Sequence, residues 1–220
     1  MTASYDPVFS PDGKRVAARA CGKKCDYYLY ITPVGGAPAV KVTGIANVYG
    51  APLFSADGKY VYATSRGAGD KGGCLWRVRV EGPPEETKLH CMADAFADVD
   101  ALLDEHAESA LVCGKKGEGA GLECVWLTLP DGATKGSLKP SERPLVLSRG
   151  GLALSAVASG VRVFDLASGD ARTMSNASLE LSSARFATDG ELVAMRREGA
   201  GFSIVRIDVR KALAELPKDP

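Results

Sequence analysis

The chain has 220 residues, 45% hydrophobic and 25% charged, with 27 Lys and Arg balancing 27 Asp and Glu for a formal net charge of zero. This is the composition of a globular domain with one sizeable core, and it lacks the basic excess that marks nucleic-acid binders. No apolar stretch approaches the roughly 18 to 20 residues of a membrane-spanning helix, and Met1-Thr2-Ala3-Ser4 lacks the charged and apolar regions of a signal peptide, so any export signal is expected to have been removed.

From the N-terminus, the first strong signal is Phe9-Ser10-Pro11-Asp12-Gly13-Lys14. It reads as a hairpin turn: Pro11 presets φ, Asp12 can bond its own backbone, and Gly13 accepts positive φ. The phrase returns as Phe54-Ser55-Ala56-Asp57-Gly58-Lys59 and, eroded, as Phe186-Ala187-Thr188-Asp189-Gly190-Glu191. Two further copies keep only the pattern. Leu102-Leu103-Asp104-Glu105-His106-Ala107-Glu108 is one, and Leu145-Val146-Leu147-Ser148 running through Arg149-Gly150-Gly151 into Leu152 is the other. As turn residues, Asp12 and Asp57 are expected to be neither metal ligands nor catalytic acids.

Each turn leads into an alternating strand, with Val16, Ala18 and Ala20 on one face of the first and Tyr60, Tyr62 and Thr64 on one face of the second. A second hairpin follows in every copy. Its first strand, at 28–31, 75–78, 125–128, 161–164 and 203–206, is rich in β-branched and aromatic residues. Gly35-Gly36, Gly82-Pro83-Pro84, Pro130-Asp131-Gly132 and Ser168-Gly169-Asp170 separate four of these strands from a weaker outer one.

Taking Phe9, Phe54, Leu103, Leu147 and Phe186 as equivalent gives steps of 45, 49, 44 and 39 residues, the period of a four-stranded propeller blade. The predicted fold is all-β, a single β-propeller domain over 1–220. It has five blades of about 44 residues, each of four antiparallel strands, at about 5–43, 48–91, 96–140, 144–175 and 180–212. After Phe202 to Val209, Lys211-Ala212-Leu213-Ala214-Glu215-Leu216 reads as a helical turn or tail, which leaves the last blade without an obvious outer strand. Either the N-terminus supplies that strand or the chain is a fragment of a longer protein.

Pro7-Val8-Phe9-Ser10-Pro11-Asp12-Gly13-Lys14, repeated from Pro52, resembles the PD40, or TolB-like, β-propeller repeat, a WD40-like family. The likeness is strong over the first two copies, fair over the fifth and carried by spacing over the third and fourth. It implies a partner-binding role in the cell envelope.

Six cysteines suggest the compartment. Cys21 and Cys25 flank the loop between the two hairpins of the first copy, and Cys113 and Cys124 take the same positions in the third. Cys74 and Cys91 begin and end the outer hairpin of the second. Antiparallel neighbours at these positions lie within the roughly 4.4 to 6.8 Å that a disulfide spans, so three bridges are expected, Cys21 with Cys25, Cys74 with Cys91 and Cys113 with Cys124. Paired cysteines persist in oxidising compartments, so the expected location is periplasmic or extracellular.

Signals for chemistry are sparse, and no catalytic, cofactor-binding or metal site is predicted. His90 and His106 read as surface residues, since no nucleophile motif accompanies either. The glycine-rich stretches 67–73 and 117–121 lack the phosphate-loop and dinucleotide spacings. Asp6, Asp98, Asp100 and Glu180 lie on predicted inner strands but form a thin set for paired carboxylate chemistry. The loops between hairpins carry Lys23, Lys24, Arg66, Lys71, Lys115, Lys116, Arg196 and Arg197, a possible partner-binding face. The expected function is that of a non-catalytic interaction or scaffold propeller with a protein partner, binding neither nucleic acid nor a small molecule. A carbohydrate-binding or glycoside-hydrolysing propeller, or the accessory propeller of a peptidase, is the alternative.

Overall fold

The computed structural model describes residues 4–21, 26–66, 72–93, 96–116, 121–174 and 179–219. Among them the hairpins assemble into five sheets whose strands are neighbours in chain order. The first contains β1 (Ser4–Phe9), β2 (Arg15–Cys21), β3 (Tyr27–Pro33) and β4 (Val40–Ala46). The second contains β5 (Val48–Phe54), β6 (Tyr60–Ser65), β7 (Cys74–Arg79) and β8 (Glu85–Cys91). The third contains β9 (Phe96–Leu103), β10 (Ser109–Lys116), β11 (Leu122–Thr128) and β12 (Thr134–Leu138). In the fourth are β13 (Val146–Leu147), β14 (Leu152–Val157), β15 (Gly160–Asp165) and β16 (Ala171–Met174), and in the fifth β17 (Leu179–Thr188), β18 (Glu191–Glu198) and β19 (Gly201–Asp208). One helix, α1 (Val209–Glu215), follows.

A shared hydrogen-bond frame explains why eroded turns keep their shape. Ser10 N donates to Arg15 O and Gly13 N to Ser10 O, both at 2.9 Å. Ser55 and Gly58 repeat the pair, then Asp104 and Ala107, then Ser148 and Gly151. In the first two turns the serine hydroxyl also donates to the aspartate, Ser10 to Asp12 at 2.6 Å and Ser55 to Asp57 at 2.7 Å. Each aspartate in turn accepts a backbone N–H, from Lys14 and Lys59 respectively, at 3.0 Å. Those serine hydrogen bonds are the main reason both carboxyls titrate below the usual aspartate range.

Packing divides the chain into two compact units, Met1–Ala101 with Val112–Ala120 and Pro130–Gly132, and Leu102–Leu111 with Gly121–Leu129 and Ala133–Pro220. In the first, Leu29, Val42 and Ile45 of the first sheet and Val48, Val61 and Val78 of the second are buried together. In the second, Leu152, Leu154 and Val163 of the fourth sheet meet Phe186, Leu192 and Ala194 of the fifth. Burying alternate residues of each strand in this way fixes register, since a slip by one residue would expose the whole set.

The four-strand pattern stops at the fifth sheet, where β17, β18 and β19 stand without a fourth among the described residues, as the helical pattern after Val209 led one to expect. The chain leaves β19 directly for α1, whose first turn is capped by Asp208 accepting from Lys211 N at 2.9 Å. Ala212, Leu213 and Leu216 then pack against the second-unit core. Beyond the helix the chain reaches the fourth sheet instead. Asp219 N donates to Ala171 O at 2.8 Å, and the Asp219 carboxylate accepts from Arg162 Nε at 2.9 Å and Thr173 Oγ1 at 2.8 Å.

Candidate interaction surface

Of the cations singled out in the loops, Lys23, Lys24 and Lys71 lie outside the described residues, and Lys116 ends β10. Lys115 is exposed in the same strand. Arg66 follows β6, its guanidinium 3.9 Å from the centre of the Tyr49 ring. In the second unit Arg196 donates twice to Glu198, at 2.7 and 3.1 Å, and Ser203 Oγ donates to the same oxygen at 2.8 Å. These bonds, led by that from Arg196, hold the Glu198 carboxyl below its ordinary range. Arg197 lies 5.9 Å from the Phe202 ring centre.

A recurrent feature escaped the sequence reading. In the first three sheets a lysine of the outer strand sits over an aromatic ring of the third. Lys41 lies 3.3 Å from the Tyr28 ring centre, Lys88 5.0 Å from Trp76 and Lys135 4.6 Å from Trp126. Such pairs contribute about 0.5–1 kcal/mol at exposed sites and cover the aromatic with a solvated head. The only sequence signal was a lysine in each weak outer strand, which becomes informative once hairpin register is known.

Two of the inner-strand carboxylates make local contacts. Asp6, at φ +51° within an irregularity of β1, forms an ion pair with Arg19 at 2.8 Å. Asp100 Oδ1 accepts from Ala101 N at 2.8 Å, and it stands 3.4 Å from where a side chain on Gly50 would begin, so Gly50 leaves room for it. Glu180 pairs across the sheet with Met195, while the Asp98 side chain lies outside the described residues. His90, on the outer strand β8, is partly exposed, and its partial burial lowers its pKa below the ordinary histidine value. His106 is exposed in the third turn. No group of three or more His, Cys, Asp or Glu among the described residues could hold a metal ion, and no described helix is long and apolar enough to cross a membrane.

Cys74 and Cys91 form a disulfide with Cα atoms 4.1 Å apart, joining opposed residues of β7 and β8. Cys113 in β10 and Cys124 in β11 are also disulfide-bonded. Cys21 ends β2, and Cys25 lies outside the described residues.

The fifth sheet presents the most distinctive surface. Its strand pairs place Arg197 opposite Phe202, Met195 opposite Ile204 and Val193 opposite Arg206. Phe202, Ile204 and Met195 are exposed large hydrophobics. Arg185, paired with Val193, is exposed as well, and Arg206 is ion-paired with Glu191 at 3.3 Å, so an apolar strip lies among three guanidinium groups and the carboxylates of Glu180, Glu191 and Asp208.

Solved structures place this architecture. TolB from Acinetobacter baumannii matches with a TM-score of 0.53 at 16% identity, over 94% of this chain and 52% of that one. The β-propeller domain of the trilobed protease from Pyrococcus furiosus, which has an open velcro topology, matches with a TM-score of 0.51 at 12% identity, over 99% of this chain and 84% of that one. Prolyl oligopeptidase B from Galerina marginata matches with a TM-score of 0.63 at 14% identity, over 94% of this chain and 34% of that one. The chain thus spans about half of TolB and a third of the oligopeptidase. No family model and no curated protein matches the sequence. At these identities the likeness is one of fold: repeated antiparallel sheets of the β-propeller type.

Proposed function

We propose that the chain is a non-catalytic interaction module built as a five-bladed propeller, acting in the cell envelope or outside the cell as a scaffold for a protein partner. The observation that carries this reading is the exposed face of the fifth sheet, where Phe202 and Ile204 stand beside Arg197 and Arg206. Aromatic and aliphatic residues bordered by arginine are the composition of a protein-binding patch rather than of a merely solvated surface. The disulfide-bonded cysteines support an oxidising compartment, and the likeness to TolB supports the envelope.

A second reading rests on the likeness to protease propellers: the chain is the accessory propeller of a peptidase, regulating access to a catalytic domain. Photo-crosslinking tests both. A benzophenone residue at position 204 or 115 is irradiated in intact cells expressing the full-length gene. The primary reading expects a discrete adduct with a separate protein that binds the purified chain saturably. An adduct only within the same polypeptide, to an appended hydrolase domain, supports the peptidase reading. No adduct from either position overturns both.

A further inference from the structure

We propose that the Cys74–Cys91 disulfide is a thiol-exchange site: a dithiol reductant opens it by attack at Cys91, which loosens the adjoining ends of β7 and β8 while Cys113 and Cys124 stay oxidised and the chain stays folded. This device operates whatever partner the chain binds, and so goes beyond the interaction reading.

Burial separates the four cysteines. Cys113 and Cys124 are 3% and 1% exposed, and they lie on β10 and β11, the two middle strands of the third sheet. Cys91 is exposed. It is the last residue of β8, the outer strand of its sheet, while its partner Cys74 is 9% exposed on β7, between β6 and β8. Exchange requires that an attacking thiolate reach one sulfur, so access decides both which disulfide reacts and at which end. Access favours the bridge on β8 over the buried cysteines, and Cys91 over Cys74.

The ladder shows what the bridge holds. Pairing of β7 with β8 shifts register between Leu75 and Trp76, so Cys74↔Cys91 and Leu75↔His90 form a short end beyond the irregularity. Past that end Met92 N donates to Gly73 O at 3.0 Å. There the backbone packs straight onto glycine: a Cβ on Gly72 would lie 2.1 Å from Met92 O and 2.4 Å from Ala93 O. On the other side of the irregularity, β8 is held independently of the disulfide. Arg77 Nη2 donates to Thr87 Oγ1 at 3.3 Å, Arg79 ion-pairs with Glu85 at 2.7 Å, and Glu86 Oε1 accepts from Gly44 N at 3.2 Å. Reduction therefore frees residues 72–75 and 89–93 as a local unit and uncovers Met92, which is 6% exposed with the bridge closed.

The exchange balances in two steps. One thiolate of the reductant bonds to Cys91 Sγ, the bond between the two cysteines breaks, and its electron pair leaves on Cys74 Sγ, which takes up a proton. The reductant's second thiolate then attacks its own sulfur in the mixed disulfide, and Cys91 departs as a thiolate and is protonated in turn. The dithiol is oxidised to a disulfide, the bridge is reduced by two electrons, and both protons derive from the dithiol. Exposed disulfides of this kind are the labile, regulatory ones, whereas structural disulfides resist reduction.

The probes are dithiothreitol for opening and glutathione for the point of attack, each added to the oxidised full chain without denaturant. Reaction is stopped with acid at timed intervals, thiols are labelled in denaturant with N-ethylmaleimide, and labels are located by peptide mass spectrometry. Cys74 and Cys91 are expected to be reduced at least tenfold faster than Cys113 and Cys124, with the trapped glutathione on Cys91. Amide exchange of the protein reduced at this bridge is expected to rise at least tenfold over 72–75 and 89–93, to stay unchanged over β2 and β14, and to return on reoxidation. Equal or faster reduction of Cys113 and Cys124, or glutathione on Cys74, overturns the proposal. So does unfolding of the whole chain on reduction, which would make the bridge a structural staple, and so does unchanged exchange over 72–75 and 89–93.

Discussion

Asp104 Oδ2 accepts two hydrogen bonds from Ser109, one from its backbone N and one from its hydroxyl, both at 2.7 Å. Oδ1 accepts from His106 N at 2.8 Å and Glu108 N at 3.1 Å. In the first two turns this work is divided between a serine and an aspartate two residues on. In the third, one buried carboxylate does it alone. Asp104→Ala leaves three backbone donors and a hydroxyl without this acceptor, and hydrogen bonds to a charged group contribute about 1.5–3 kcal/mol each, non-additively. The expected loss is about 3 kcal/mol in urea unfolding at unchanged slope, against about 1 kcal/mol for Ser10→Ala. A loss below about 1 kcal/mol for Asp104→Ala would show that water replaces the carboxylate.

Ala107 occupies the position of Gly13 and Gly58 at φ +53°, where the glycines have +68° and +71°. A left-handed conformation costs an L-residue about 1–2 kcal/mol, partly offset in a glycine replacement by greater freedom of the unfolded chain. Ala107→Gly is therefore expected to stabilise by about 0.5–1 kcal/mol. Gly13→Ala should cost about 1 kcal/mol from conformation alone, because a Cβ there meets nothing within 4 Å. Melting temperatures that shift in the same direction for both substitutions would contradict this account.

The legible parts of the chain were those where local chemistry determines local shape. Ser-Pro-Asp-Gly and Ser-Ala-Asp-Gly are read as turns because their residues act on their own backbone. The turns at Asp104 and Ser148 could be located only by spacing, since Asp104 merges two roles and the Ser148 turn is one residue shorter. The lysine-over-aromatic pairs were invisible because they depend on cross-strand register, which connection length sets. Likewise, a missing fourth strand was suspected from the helical pattern after Val209, but the exposure of Ile204 depends on which face of the sheet the core covers.

The Cys74–Cys91 bridge closes a separation of 17 residues, for which chain entropy predicts about 3 kcal/mol of stabilisation. Cys91→Ser is expected to lower unfolding stability by about that amount and to increase proteolysis within 72–91. Peptide mapping of unreduced protein should recover Cys74 joined to Cys91 and find Cys113 and Cys124 oxidised. Free thiols at these four positions in protein folded without reductant would remove the support for an oxidising compartment.

Acid should weaken the fold in two separate steps. Half-burial lowers the folded-state pKa of His90 below its ordinary value of about 6.5, so the unfolded chain binds the proton more readily as pH falls through that value, and stability declines. Asp12 and Asp57 are also depressed, by their serine hydrogen bonds. Their contribution is complete above the unfolded carboxylate value of about 3.9 and is lost as pH falls below it toward their folded values. Urea midpoints measured from about pH 8 to 3 should therefore show a shallow decline below about pH 6.5 and a steeper one below about pH 4. His90→Gln should remove the first step, and Asp12→Asn with Asp57→Asn should make the second shallower, leaving the part that Asp170 and Glu198, which are also depressed, contribute. Because the two steps belong to different groups, a histidine and a set of carboxylates, the substitutions must act independently: a His90→Gln variant that also loses the acidic step would mean that one coupled event, not separate local titrations, unfolds the protein in acid.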